Sequence, residues 1–252
     1  LVLLPIAAAV WMAFFPVENI WPHLFATSLP RYLSNSLIIM VSVAIISSFV
    51  GTWCAWMIVT KDFPLRRMLE WVLLFPLAIP AYIGAYSFVD FWEYAGPVQT
   101  ALRDFFGWAN SKDYYFPQVR SIGSAIFVIS MSLYPYVYLL ARAAFRDQSS
   151  RTFEVSRALG ASPLRACWLV SLPLARPAIA IGTALVMMEA LNDFGAVEFF
   201  AVQTLTTGIF TVWLEASNVG GAAQIAIVIF ILVIVLLVVE RVSRRKMRVH
   251  GR

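Results

Sequence analysis

The sequence predicts an all-α, polytopic membrane protein with about six transmembrane helices. The 252 residues are 61% hydrophobic and only 13% charged, and the mean hydropathy is +0.78. A water-soluble chain is about a quarter charged. The apolar residues gather into runs long enough to cross a ~30 Å hydrocarbon core, for which about 20 residues of helix suffice. Hydropathy within those runs is continuous and not alternating. That disfavours a closed barrel, the other way to satisfy backbone polar groups in lipid.

Six runs qualify: 1–15, 33–59, 71–91, 121–141, 178–199 and 219–239. The first is short and opens Leu1-Val2-Leu3-Leu4, without a basic segment or cleavage site. It reads as a membrane helix cut within its length, not as a signal peptide. The second begins near Asn35, a residue suited to an interhelical hydrogen bond. The third contains Pro76 and Pro80, which are expected to kink it or interrupt its hydrogen bonding. Between the third and fourth runs, "GPVQTALRDFFGWAN" sets Val98, Ala101, Leu102, Phe105 and Phe106 at helical spacing, with Pro97 in the first turn. The spacing predicts a short interfacial helix, with Trp92, Trp108, Tyr114 and Tyr115 at headgroup level. No internal repeat is visible. The division is a membrane domain over 1–239, with a loop at 142–177, and a basic tail or linker at 240–252.

Lysine and arginine fix the orientation. Fifteen of the 19 fall on one side: Lys61, Arg66 and Arg67; six between Arg142 and Arg176; six from Arg241 to Arg252. The other side holds Arg31, Arg103, Lys112 and Arg120. The richer side is cytoplasmic, and the 142–177 loop with it. The net charge of +5 is spread between apolar runs and forms no single patch, so it does not indicate nucleic acid. Cys54 lies in an apolar run and Cys167 in what reads as a polar loop, so no disulfide framework is expected. None of the three lysines follows a glycine, so a phosphate-cradling loop is missing and the chain should not hydrolyse ATP alone. His23 and His250 stand near opposite ends, which leaves little for zinc or triad chemistry.

The cytoplasmic loop contains "FEVSRALGASPLRACWLVSLP" at 153–173. Thr152 can cap a helix over roughly 153–159, with Glu154 near its positive end. Gly160 can take the left-handed turn that stops it. Ser162-Pro163 can open a second helix, and Pro173 and Pro177 are expected to end that element before the fifth span. Two caps and a glycine stop favour a shaped surface over a loose connector.

This loop resembles the signature of binding-protein-dependent ABC importer permeases: Glu-Ala-Ala, three residues, Gly, nine residues, Ile-x-Leu-Pro. Glu154 is kept, Val155 and Ser156 replace the two alanines, Gly160 falls on the glycine, Val170 replaces isoleucine, and Leu172-Pro173 match. Residues 76–103 and 191–226 further resemble bacterial iron(III) transport permeases, in particular the first half of a two-half polypeptide. The resemblance implies a type I importer fold in the bacterial inner membrane. Its implied partners are ABC ATPase subunits docked on Glu154–Gly160, a periplasmic or extracellular substrate-binding protein, and a second permease half. ATP and Mg would sit on the partner ATPase, with no cofactor in this chain.

The fifth run also carries Glu189, Asn192, Asp193 and Glu198 at membrane depth, where ionisable groups are costly unless they face a cavity or a partner. Glu189 and Asp193 are four apart and so share a helix face. One reading makes Glu189, Asn192 and Asp193 an acidic stretch of the substrate path. The other puts Asp193 and Glu198 at the outer interface and leaves only Glu189 buried, hydrogen-bonded to a neighbouring helix. Met187-Met188 reads as packing.

Overall fold

The computed structural model describes residues 4–148 and 162–248, and their regular structure is all helical. The order is α1 (Leu4–Phe14), α2 (Trp21–Ala26), α3 (Leu29–Thr60), α4 (Arg66–Val72), a 3₁₀ turn (Phe75–Ala78), α5 (Ala81–Trp92), α6 (Pro97–Phe106) and α7 (Ile122–Asp147). Then come α8 (Pro163–Ala166), a π-helical stretch (Cys167–Ser171) and α9 (Leu172–Asn192). The described residues end in α10 (Gly195–Phe199), α11 (Leu205–Phe210), a second π stretch (Thr211–Glu215) and α12 (Val219–Arg248).

Among the described residues, four helices are long and apolar enough to cross a membrane: Leu29–Thr60, Ile122–Asp147, Cys167–Asn192 and Val219–Val242. The predicted third span is broken, not merely kinked. Pro80 holds an extended conformation (φ −54°, ψ 138°) between the 3₁₀ turn and α5, so the run becomes a bent pair of helical segments. Neither Pro76 nor Pro80 has an N–H to carry the ladder across. The predicted interfacial helix is α6, flanked by Gly96 and by Gly107 in the left-handed region (φ 71°).

The predicted fifth span is shifted at both ends. Helix starts at Pro163, not 178, and Pro173 and Pro177 lie inside it. The stretch just before Pro173 is π-helical, with a five-residue hydrogen-bond register. That wider turn accommodates a proline ring, which an α-helical register would press against the preceding turn. Cys167 accordingly sits in helix, not in a polar loop, and both cysteines are free thiols. At the other end α9 stops at Asn192, and residues 195–199 form the separate helix α10.

By its contacts the chain forms two compact units, each assembled from three segments. One comprises Leu1–Ser42, Ile79–Ile129 and Ala190–Val233. In it α10 packs against α5, and the Phe88 ring meets Trp92, Phe127 and Phe200. The other comprises Val43–Ala78, Ser130–Glu189 and Ile234–Arg252. Its core joins Ala55, Trp56 and Ile58 of α3 to Tyr134, Tyr138, Ala141 and Phe145 of α7 and Ala175 of α9. Gly51 and Gly182 let α3 and α9 close onto α7. A Cβ on Gly51 would lie 2.7 Å from the Tyr134 carbonyl oxygen, and one on Gly182 would lie 2.9 Å from Val137 Cα. Backbone approach through small residues is the usual packing device in lipid, where burying more apolar surface gains little.

Candidate functional site

Of the predicted coupling residues, Glu154, Val155, Ser156 and Gly160 lie outside the described residues. The structure does describe the shoulders of that segment. Ser162 caps α8 as expected: its Oγ accepts the Arg165 N–H at 3.3 Å and its carbonyl accepts the Ala166 N–H at 2.9 Å. Val170 is partly buried in the π stretch, and Leu172 and Pro173 are partly buried in the first turn of α9. On the other shoulder, Gln148 Nε2 donates to the Ser171 carbonyl at 2.9 Å, which ties the end of α7 to the π stretch.

Beside these shoulders stands a charge cluster that the sequence reading missed. The Glu70 carboxylate of α4 receives both Arg142 and Arg146 of α7, the latter at 2.7 Å. Glu70 and Arg142 are 14% and 13% exposed, whereas Arg146 is half exposed. Tyr138 donates its hydroxyl to the Glu70 carbonyl at 3.2 Å, and Tyr134 donates to the Leu73 carbonyl at 3.0 Å. The only local hint was the four-residue spacing of the two arginines and a lone acid in an otherwise basic and apolar stretch. The acid lies more than seventy residues away, so nothing local announced the pairing.

The three predicted path residues stand at the end of α9. Glu189 is exposed in α9, not buried, and Asn192 is exposed in its last position. Asp193 stands just past the end of α9. Its Oδ1 accepts the N–H groups of Ala196 at 2.9 Å and Val197 at 3.3 Å, the act of a helix cap on α10. Its carbonyl accepts the Thr206 hydroxyl at 2.7 Å. Neither alternative for Asp193 foresaw this, because a cap is visible only once the helix is known to break.

The next gap, between α10 and α11, is held by further polar contacts. Thr204 and Thr207 form a reciprocal capping box at the start of α11. Ser36 Oγ accepts the Leu205 N–H at 2.9 Å, and Asn35 Nδ2 donates to the Gln203 carbonyl at 2.8 Å. Asn35 was expected to bond another helix and instead satisfies a loop carbonyl. Among the described residues, no group of three or more His, Cys, Asp or Glu side chains comes together.

The outer loop is also built. Arg120 spans Glu93 at 3.0 Å and the Phe199 carbonyl at 3.0 Å. The Arg120 guanidinium hydrogen-bonded to Glu93 holds that carboxyl below its usual range. Buried Gln99 donates to the Trp92 carbonyl at 2.8 Å and accepts from the Tyr114 hydroxyl at 2.6 Å. These groups border a cleft of about 600 Å³ between α6 and the strand-free stretch up to Arg120.

The chain is 27% identical over 227 residues to the Fe(3+)-transport system permease protein FbpB 2 of Haemophilus influenzae, covering 90% of this chain and 40% of that protein. It is 25% identical over 206 residues to the molybdenum transport system permease protein ModB of Escherichia coli K12, covering 78% of this chain and 86% of that one. Thus it spans well under half of the first relative and most of the second. Its fold is that of a chain in the crystal structure of a bacterial alginate ABC transporter in complex with a pentasaccharide-bound periplasmic protein. The TM-score there is 0.78 at 16% identity, over 96% of this chain and 88% of that one. Residues 47–249 match the family described as binding-protein-dependent transport system inner membrane component, and the chain belongs to that family.

Proposed function

We propose that this chain is the membrane-spanning permease of an ATP-driven importer, working with ATPase subunits, a substrate-binding protein and a second permease half. The observation that carries the reading is the family match over 47–249, which contains the Glu154, Gly160 and Leu172-Pro173 spacing. The permease does no bond chemistry on this reading. Its function is a conformational equilibrium that the partners bias through differential binding. ATP binding draws the ATPase subunits together, the coupling segment moves with them, and the membrane halves exchange inward- and outward-open states.

Ferric iron is the proposed substrate, on the similarity to the Haemophilus permease and the iron-permease-like stretches 76–103 and 191–226. Molybdate is the second reading, because the molybdenum permease matches over 86% of its own length. Growth of a strain lacking the gene distinguishes them. Iron limitation should impair it, with rescue by excess iron. Loss of molybdate uptake with normal iron uptake would replace the substrate and leave the importer reading standing.

The importer reading is tested by transport into vesicles alongside pull-down of the ATPase. Gly160→Val and Glu154→Lys should lower both uptake and ATPase association at near-normal membrane levels. Ser111→Val in the outer loop should be nearly silent. Full transport by both coupling variants would reduce the 153–160 segment to a connector.

A further inference from the structure

Four residues of α7 at four-residue intervals, Tyr134, Tyr138, Arg142 and Arg146, all bond to α4 or its C-terminal extension. They occupy one stripe of α7, since positions four apart stack on one helix face. The stripe runs to the last turn of α7, directly before the residues that enter the coupling segment. Its two charged members converge on one carboxylate. A single Glu70 oxygen pairs with both arginines and accepts a hydrogen bond from Arg146, and the Tyr138 hydroxyl bonds the Glu70 backbone as well.

A pure anchor to hold two helices together has no need of charge here. Replacing a buried ion pair by apolar residues is often neutral or stabilising, and its better-attested use is to fix one arrangement over another. The surrounding core of Trp56, Tyr134, Tyr138 and Phe145 already packs α7 apolarly. The carboxylate adds direction: α4 can keep both arginines satisfied only by following the end of α7. Gln148 adds a second tie, from the same end of α7 to the π stretch before α9. Displacement of the α7 end is therefore delivered to α4 and to the start of α9 together.

Resting on the importer reading, we propose that Glu70 is a positioning residue for energy coupling. Shared by Arg142 and Arg146, it makes α4 move as one body with the end of α7. A push from the ATPase on the coupling segment then reaches the broken helix pair at Ile79-Pro80. Glu70 touches neither substrate nor ATP on this account; it sets how much transport each ATP yields.

The test uses the full permease with its second half, ATPase and binding protein in vesicles. The probe is labelled ferric iron or, if the wild type carries that instead, labelled molybdate. Uptake, ATP hydrolysis and ATPase pull-down are read on the same preparation. Glu70→Gln keeps the shape and removes the charge. It should cut uptake per ATP hydrolysed by at least about fivefold, the low end for coupling between sites, with hydrolysis and ATPase association little changed. The double variant Glu70→Arg with Arg142→Glu restores two cations around one anion and should recover much of the ratio. Arg146→Gln, removing the half-exposed member, should fall between.

An unchanged ratio in Glu70→Gln would overturn the proposal, and so would failure of the double variant to exceed Glu70→Arg alone. If Glu70→Gln lowers membrane level, hydrolysis and association together, the residue is structural and the proposal also fails. Wild-type uptake that needs no ATP would instead overturn the importer reading beneath it.

Discussion

Ala201 follows α10 at a position where the chain turns left-handed (φ 54°). Its N–H bonds the Glu198 carbonyl at 2.9 Å, and the Val202 N–H bonds the Val197 carbonyl at 3.0 Å. That is the paired pattern of a helix stop normally built on glycine. A side chain in this region is strained by roughly 1–2 kcal/mol, partly offset because glycine has more freedom in the unfolded chain. Ala201→Gly should raise the thermal midpoint of the purified protein slightly or leave it unchanged, and Ala201→Val should lower it. A fall with glycine would show that the methyl packs better than the turn is strained. Glu93 is the residue whose behaviour depends on pH. Its carboxyl is held low by the Arg120 hydrogen bond, so the folded loop favours the ionised form. The stabilisation is present above the ordinary carboxylate pKa and fades as pH falls through the lowered one. An acid-tolerant protease should cut the 109–119 stretch faster as pH is lowered toward that range. Glu93→Gln should flatten the dependence.

Among elements, the crossings of α7 with α3 and α9 are the tightest test of packing. Gly51→Ala would set a methyl under 3 Å from the Tyr134 oxygen, the Tyr138 nitrogen and Val137 Cβ. Backbone cannot yield as a side-chain tip can, so overpacking should cost about 1–3 kcal/mol. Gly123→Ala in α7 meets only Ser121 Oγ, at 3.8 Å. It should be neutral or stabilising, because alanine is the better helix former. Thermal unfolding in one detergent compares the two, and equal effects would remove the crossing argument. Element identity was largely legible in the sequence, since long apolar runs can hardly be anything but helix in lipid. The interfacial helix α6 and the cap at Ser162 were legible for the same kind of local reason. Element ends were less so. Pro173 reads as a stop signal, yet the π stretch upstream absorbs it, and a register change of one residue leaves no mark on composition.

For the whole molecule, the fifteen-to-four division of basic residues predicts the orientation. A cysteine at Ser111 should label with an impermeant reagent added outside intact cells, and one at Ser150 should be shielded. Equal labelling would reverse or dissolve the topology, and with it the cytoplasmic placing of the coupling segment. On that predicted orientation the Glu70 cluster faces the cytoplasm, which the coupling proposal requires.

By itself the sequence determined the solvent, the helical class and the family, because each follows from residue type summed along the chain or from a spacing within one loop. The polar path residues show where that ends. Glu189 and Asp193 share a face only while the helix continues, and α9 stops at Asn192, with the Asp193 carbonyl taken by the Thr206 hydroxyl. No residue type at Asn192 marks the stop, so only the tertiary structure could decide that Asp193 caps α10. Glu70 is the same case: its meaning lies in two arginines of another helix, and an ion pair across more than seventy residues is fixed by packing, not by any local pattern.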